Sequence, residues 1–136
     1  MKCELCSTTA ETLLWKGEHS RVILVTDSDY QGYCRVIWNS HVKEMSDLTP
    51  HLRQAMMNTV FVVESVVREI LLPDKINLAS LGNMTPHLHW HIIPRFNDDA
   101  HFHNPIWGTT MRKQRDAVTI DLKSRIELSL QAKLSN

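Results

Sequence analysis

Apolar positions in the first part of the chain fall into short runs that are typical of β-strands. "TLLW" (12–15), residues 21–26 and residues 33–38 predict three strands, and the turn-rich segment "DSDYQG" separates the second from the third. Their close spacing predicts an antiparallel meander. Further along, residues 75–81 and the segment "HLHWHIIPRF" predict a fourth and a fifth strand.

The segment between the third and fourth strands has the apolar spacing of a long helix, predicted over residues 50–72. Thr49 is the expected N-cap, Pro50 suits the first helical turn, and Pro73 ends the helix. The run "VFVV" (60–63) makes the apolar surface wider than one stripe. This width predicts either a second buried contact, such as a subunit partner, or a helix buried on most of its sides.

A second helix is predicted in the C-terminal tail, residues 117–136, because apolar residues recur there at intervals of four. The length of 136 residues suffices for one domain with a core and is too short for two ordinary ones. We therefore expect a single α+β domain over residues 1–136, with an N-terminal Cys-x-x-Cys segment (1–10) and a helical tail. Its sheet would be antiparallel, with about five strands.

Composition and charge narrow the classes of partner. Lys plus Arg and Asp plus Glu number 15 each, so no excess of positive charge indicates binding to nucleic acid or to an anionic membrane surface. The chain has no apolar run long enough for a membrane span or a signal peptide. Three cysteines do not form a secreted disulfide framework, and a cytoplasmic location is expected.

Five of the eight histidines fall between positions 87 and 103, and three of them alternate in "HLHWH". On a strand, His87, His89 and His91 share one face, while Leu88 and Trp90 point to the other, toward the core. The histidine face is then expected to border a cleft or solvent.

Three interpretations are open for such a row of histidines. Two histidines at i and i+2 can hold a metal ion with a third ligand, so a metalloenzyme is one candidate. Three in a row fit one ion poorly, because the outer α-carbons lie roughly 13 Å apart on a strand. A row suits an elongated phosphate chain better, with one imidazole attacking while its neighbours donate hydrogen bonds. Surface histidines without a role are the third possibility.

The segment "HLHWHIIPR" resembles the signature of the histidine triad (HIT) family, in which three alternating histidines are followed by apolar residues. "GYCRVIWNSHVKEMSDLTP" is similar to the family's strand that ends in a histidine before the long helix. "DKINLASLGNMTP" is similar to the strand and loop that precede the triad, and "DDAHFHNPIWG" to a segment of a small bacterial branch. The resemblance implies a HIT-like fold and a homodimer.

The resemblance also implies hydrolysis or transfer at the α-phosphate of a nucleoside phosphoramidate or dinucleoside polyphosphate, with no cofactor required for catalysis. His89 would be the nucleophile and form a covalent nucleotidyl-histidine. The main-chain carbonyl of His87 would fix the His89 tautomer, and His91 would donate to phosphate oxygens. Asn83 stands where the family usually has a phosphate-binding glutamine.

Two positions depart from the family pattern. Tyr33 stands where many members have a histidine that faces the leaving group, and a tyrosine cannot replace an imidazolium as an acid near pH 7. Met84 stands where many members have a hydroxyl residue. These departures permit an alternative, a nucleotide-binding or regulatory protein with little catalysis.

Two further residues are candidates for nucleotide contacts. Asp27 is similar in position to the family's ribose-binding acid, although a turn aspartate is an equal alternative. Trp107 would stack on a base or, alternatively, anchor its loop on the core. His101 and His103 are assigned to the same loop.

The N-terminal Cys-x-x-Cys is by itself a weak metal signal, because a zinc site needs four ligands. In some bacterial HIT proteins such a pair completes a structural zinc site with two histidines. By resemblance, the four ligands here are Cys3, Cys6, His41 and His87. The alternative is two reduced cysteines on a frayed terminus.

Overall fold

The computed structural model describes residues 3–26 and 28–134. It contains a five-stranded sheet and two helices, which confirms the predicted α+β class. The elements are β1 (Thr12–Lys16), β2 (Ser20–Leu24), β3 (Cys34–Trp38), α1 (Pro50–Leu71), β4 (Lys75–Ala79), β5 (His89–Arg95) and α2 (Leu122–Leu134). Two short 3₁₀ turns, Glu4–Cys6 and Met45–Asp47, precede β1 and α1.

The sheet is antiparallel throughout and has the strand order β1-β2-β3-β5-β4. The first three strands form the predicted meander, and β5 inserts between β3 and β4. This order makes β3 and β5 neighbours, although α1 and β4 separate them along the chain. In their register, Arg35 lies opposite His91 and Ile37 lies opposite His89.

One side of the sheet carries the main core against both helices. Alternate residues of three strands point into it, and α1 supplies buried residues at helical spacing. The contributors include Val22, Cys34, Val36, Trp38, Met56, Val60, Val63, Val66, Val67, Leu88 and Ile92. The other side of the sheet therefore carries Arg35, Ile37, His89 and His91 together.

Helix α1 begins as the sequence predicts, with the Thr49 side chain accepting a hydrogen bond from the Leu52 amide. The helix buries one face only, and Phe61 within "VFVV" stays 51% exposed. Of the two alternatives for the wide apolar surface, burial on most sides is therefore not found in the described chain. An exposed apolar side chain remains on the outer face of the helix.

The second helix begins later than predicted, at Leu122 instead of near residue 117. The carboxylate of Asp121 accepts the Ser124 amide hydrogen bond and so caps the first turn. Residues 117–121 run without regular structure toward this cap. Among the described residues, no helix is long and apolar enough to cross a membrane.

Candidate functional site

His89 is held by the main chain two residues before it. Its Nδ1 lies 2.5 Å from the His87 carbonyl oxygen, and its side chain is buried. A carbonyl can only accept a hydrogen bond, so Nδ1 carries the proton and Nε2 keeps its lone pair. Burial lowers the pKa of His89 and thereby favours this neutral form.

His91 is oriented by a tyrosine that directly precedes the neighbouring strand β3. The Tyr33 hydroxyl lies 2.6 Å from Nδ1 of His91, and both residues are buried. The His91 ring meets the edges of two other rings, those of His89 at 4.9 Å and Trp107 at 5.2 Å between centroids. Burial, with smaller contributions from His89 and Arg35, lowers the pKa of His91 to about 4. His91 is therefore neutral at pH 7.

A tight turn places Tyr33 at the start of β3. The Tyr33 amide bonds to the Tyr30 carbonyl, and Gly32 adopts a φ of +84°, which other residues rarely adopt. A Cβ at Gly32 would also clash with the Leu71 side chain. Because the Tyr33 hydroxyl contacts His91, its role is not limited to facing a leaving group.

His87 lies outside the strand that was predicted to contain it. Strand β5 begins at His89, and the main chain at Leu88 bonds instead to Trp38 and Val42. The His87 ring is fully buried, and its Nε2 lies 2.6 Å from the Trp38 carbonyl oxygen. Nε2 must therefore donate, which leaves the lone pair on Nδ1. Burial lowers the pKa of His87 and favours this neutral form.

The Nδ1 atom of His87 points into a cluster with Cys3, Cys6 and His41, whose ligand atoms all lie within 4.8 Å of one another. Nδ1 lies 3.4 Å from Cys3 Sγ, 3.6 Å from Cys6 Sγ and 3.2 Å from Nδ1 of His41. Cys6 Sγ is 3.4 Å from His41. Four donor atoms converge without an intervening side chain, so the cluster has the arrangement of a metal site.

The N-terminal segment reaches this cluster through an apolar contact. Leu5, between the two cysteines, packs with Ile23 and Ile37 on the histidine side of the sheet. The Leu5 carbonyl accepts a 2.7 Å hydrogen bond from Arg21, which also binds Glu11. Within the described residues, the cluster includes His87 but neither His89 nor His91. The triad itself thus does not present the ligand set of a single metal ion.

The loop after β5 is organised by the buried carboxylate of Asp99. Asp99 accepts two hydrogen bonds from Arg95 and further ones from the amides of Phe96, His101 and Phe102. Its burial opposes ionisation, but Arg95 and these amides hold the pKa of Asp99 well below its usual range. A charged Asp99 therefore fixes the loop that carries His101 and Trp107.

This loop forms one wall of a recess of about 330 Å³ beside the triad. Trp107 is 52% exposed there, and Nδ1 of His101 lies 2.6 Å from the Tyr30 hydroxyl. The lining side chains are those of Val25, Ser28, Asp29, Tyr30, Tyr33, Arg35, His101, Ile106 and Trp107. A second recess, of about 280 Å³, is lined by His89 together with residues that include Lys43, Ser80 and Gly82.

Two of the sequence candidates are not brought to the triad by these contacts. Asn83 and Met84 are exposed in a bend after β4, and Asn83 makes no hydrogen bond to another described residue. Gly82 borders the recess beside His89, whereas Asn83 does not. Asp27 lies outside the described residues.

Sequence reasoning missed Arg35 and Asp99. Arg35 is one charged residue within the apolar strand "YCRVIW", and its place opposite His91 depends on which strands pair. Asp99 stands in the polar segment "NDDAHF", where composition indicates only a loop. The strand alternation in "YCRVIW" could have placed Arg35 and Tyr33 on one face, but not beside the triad.

The fold and site define an α+β protein with a row of buried histidines on one side of an antiparallel sheet. A model of the HIT domain matches residues 8–98, and the chain belongs to the HIT family. Membership places it in a family of nucleotide-binding, hydrolase-type proteins, which agrees with the resemblance of "HLHWHIIPR".

Solved structures show the same fold. A histidine triad protein from Bradyrhizobium japonicum is 27% identical with a TM-score of 0.73, covering 90% of each chain. One from Marinobacter aquaeolei is 24% identical with a TM-score of 0.71, covering 90% of this chain and 87% of its own. A Zn-bound histidine triad family protein from Mycobacterium smegmatis is 21% identical with a TM-score of 0.67, covering 93% and 87%. Among curated proteins, no sequence matches the chain.

Proposed function

We propose that the protein is a nucleotide-phosphate hydrolase or nucleotidyl transferase that acts at an α-phosphate through a covalent nucleotidyl-His89. The contact between His89 Nδ1 and the His87 carbonyl carries this proposal. It leaves Nε2 unprotonated for attack, and it stabilises the positive charge that the ring gains when Nε2 bonds to phosphorus. A histidine without a role would not need its tautomer fixed in this way.

The reaction has two steps. In the first, Nε2 of His89 bonds to the α-phosphorus, and the bond from phosphorus to the leaving group breaks with its electron pair on the leaving group. In the second, water attacks the same phosphorus, the Nε2–phosphorus bond breaks, and the nucleoside monophosphate and a proton leave. Another nucleophile in place of water gives transfer instead of hydrolysis.

His91 and Tyr33 act together on the phosphate in this proposal. If the Tyr33 hydroxyl donates to Nδ1 of His91, the other nitrogen of the ring carries its proton and donates to a phosphate oxygen. The neutral ring stabilises the transition state by hydrogen bonding rather than by charge. Trp107, half exposed beside His91, offers a stacking surface for the base.

Adenylylation of His89 tests the proposal. The wild-type protein is mixed with an adenosine phosphoramidate and with a dinucleoside polyphosphate, quenched in base, and examined by peptide mass spectrometry. We expect adenylylated His89 and release of AMP, a loss of at least about 1,000-fold in turnover in His89→Ala, and unchanged turnover in the exposed control His103→Ala. Equal turnover in wild type and His89→Ala would contradict the proposal.

A second candidate, a nucleotide-binding or regulatory protein with little catalysis, is favoured by one observation. Tyr33 occupies the place of a leaving-group histidine, and its hydroxyl is committed to His91, so a proton donor for an amine leaving group is lacking at that contact. Tight binding of AMP without turnover of any substrate in the panel would select this candidate.

We further propose a structural zinc ion at Cys3, Cys6, His41 and His87. A tetrahedral zinc with ligands at about 2.0–2.3 Å separates neighbouring ligand atoms by about 3.3–3.8 Å. Four of the six separations between donor atoms of the cluster run from 3.2 to 3.6 Å, and all six lie within 4.8 Å. The Trp38 carbonyl holds the ring of His87 from behind, as is typical of metal-bound histidines. When bound, the ion would fasten the N-terminal segment to the residue whose carbonyl orients His89.

A homodimer through the outer face of α1 is the proposed assembly. Phe61 is the large exposed apolar residue of that face, and a two-fold contact would bury it against a second copy. Light scattering coupled to gel filtration should give twice the chain mass of 15.7 kDa, and Phe61→Glu should shift the mass toward the monomer. A wild-type monomer would contradict the proposal.

A further inference from the structure

Arg35 lies on the same side of the sheet as the triad and takes no part in the two-step mechanism. On β3 it is paired directly opposite His91, so their side chains leave adjacent strands about 4.8 Å apart on one face. Its guanidinium carbon lies 5.6 Å from the centre of the Tyr33 ring. Arg35 also lines the recess that holds Trp107. The Arg35 side chain therefore lies on the same face of the sheet as the histidines that are proposed to bind phosphate.

Arg35 forms no ion pair with any described residue. Other partly or fully buried arginines have carboxylates at ion-pair distance: Arg21 has Glu11, Arg95 has Asp99 and Arg115 has Asp98. Arg35 has no such partner within the described chain, and its Nε is shielded from solvent without a hydrogen bond. Glu11, which lines a recess with Arg35, binds Arg21 through both carboxylate oxygens instead.

A shielded N–H without an acceptor, such as the Nε–H of Arg35, is unfavourable in a folded protein, because its hydration is lost and no hydrogen bond replaces it. An external anion would supply the missing acceptors, and phosphate matches the planar fork of an arginine. His91 is neutral at pH 7, so Arg35 brings to this part of the face a permanent positive charge that His91 lacks.

We propose that Arg35 binds a second phosphate of the substrate, so that the site selects nucleotides carrying a phosphate beyond the one attacked by His89. This inference rests on the proposed function. One strand spacing separates Arg35 from His91, and the arginine side chain is long enough to reach the next phosphate of a chain. That second phosphate belongs either to the polyphosphate chain or to the ribose. Both present the same anionic oxygens to the guanidinium.

Binding by isothermal titration calorimetry tests the inference. AMP, ADP and adenosine 3′,5′-bisphosphate are titrated into His89→Ala protein, where the nucleophile is absent, with Arg35 intact or changed to Gln. We expect ADP to bind at least about 10-fold tighter than AMP when Arg35 is present, and this ratio to fall to about 2-fold or less in Arg35→Gln. AMP affinity should change little. A loss confined to the bisphosphate would assign the second phosphate to the ribose.

Two control variants separate this role from a structural one. Arg68→Gln removes an exposed arginine of α1, on the other side of the sheet, and should keep the full ratio. Arg35→Lys keeps the positive charge but loses the planar guanidinium, and it should retain part of the preference for ADP over AMP. If Arg35→Gln lowers the melting temperature, Arg35→Lys carries the test.

Each outcome is decisive. The inference is overturned if neither the preference for ADP over AMP nor the preference for the bisphosphate over AMP changes when Arg35 is replaced, or if all three nucleotides bind equally when Arg35 is intact. Failure of the proposed function has a different signature, because wild-type protein would then form no adenylylated His89 even if the binding ratio depended on Arg35. If no nucleotide binds, the inference is overturned, and adenylylation of His89 in the wild-type protein still decides the proposed function.

Discussion

The Tyr33 hydroxyl lies 2.6 Å from Nδ1 of His91, because Tyr33 directly precedes β3 and β3 is paired with β5 in the folded sheet. The contact joins the residue that departs from the family pattern to the last histidine of the triad. It means that Tyr33 orients the His91 imidazole from inside the site. A missing histidine at position 33 therefore does not leave His91 unsupported.

Replacing Tyr33 by Phe should lower kcat by about 5-fold, because a hydrogen bond of about 1 kcal/mol that fixes the His91 ring is lost. KM should change by less than about 3-fold, since the ring of residue 33 remains. Steady-state kinetics on the panel used for His89 measures both values. An unchanged kcat in Tyr33→Phe would show that the hydroxyl does not position His91.

The free energy of unfolding should fall as the pH drops from about 6.5 to 4. The pKa of His91 is lowered from 6.5 to about 4 in the folded protein, so the unfolded chain binds more protons in this interval. A tenfold difference in proton affinity between the folded and unfolded states corresponds to about 1.4 kcal/mol, which gives up to about 3 kcal/mol from His91. Urea denaturation at pH 7, 6, 5 and 4 measures the slope.

The variant His91→Gln supplies the comparison for this pH dependence. It cannot titrate, so its stability should decline less between pH 6.5 and 4 than that of the wild type at equal metal content. Identical slopes in the two proteins would show that His91 is not the titrating group.

Removal of the proposed zinc should lower the melting temperature by on the order of 10 °C, because the ion binds only the folded arrangement of its four ligands. Cys3→Ser/Cys6→Ser should purify without zinc and melt at this lower temperature, whether or not a chelator is present. Elemental analysis and thermal unfolding measure the two effects.

Cys34→Ala and His89→Ala should retain one zinc per chain, since neither residue belongs to the cluster. Zinc that persists in the double cysteine variant but is lost in His89→Ala would instead assign the metal to the triad and revive the metalloenzyme interpretation.

Replacing Asp99 by Asn should destabilise the protein by about 3 kcal/mol, because Arg95 would keep a buried charge without its carboxylate. The loop carrying His101 and Trp107 should loosen as well, with faster amide exchange at residues 96–112. Denaturation and hydrogen exchange measure the two effects.

The neighbouring variant Asp98→Asn is the matched control, because Asp98 is 70% exposed and its pair with Arg115 should contribute less than about 1 kcal/mol. Equal destabilisation by both would contradict the role given to Asp99.

Local patterns were sufficient for most of the secondary structure. The alternation of "LHWHI" separates His89 and His91 from Leu88 and Trp90, because successive side chains on a strand point to opposite faces. Thr49 and Pro50 mark the start of α1 for reasons that lie within one turn of the chain. The boundaries were predicted less well: His87 lies before its strand, and α2 begins only after Asp121.

Much of the candidate site was also predicted from residue types, because these residues resemble a family pattern. The ligand set of Cys3, Cys6, His41 and His87 was inferred in this way, and the structure brings the four residues together. Neither spacing nor composition could have shown it, because Cys3 and His87 are separated by 84 positions. Their meeting depends on Leu5 packing against the sheet.

The sequence by itself determined which residues alternate between the two faces of a strand, which segments form helices and which side chains have the chemistry to attack or bind phosphate. These properties depend on near neighbours along the chain. Only the tertiary structure decided which residues of different strands and loops lie next to one another. The insertion of β5 beside β3 puts Tyr33 and Arg35 next to His91, and the Asp99 loop returns Trp107 to the same place. Such contacts depend on strand order and on long-range burial, for which a single sequence contains no local signal.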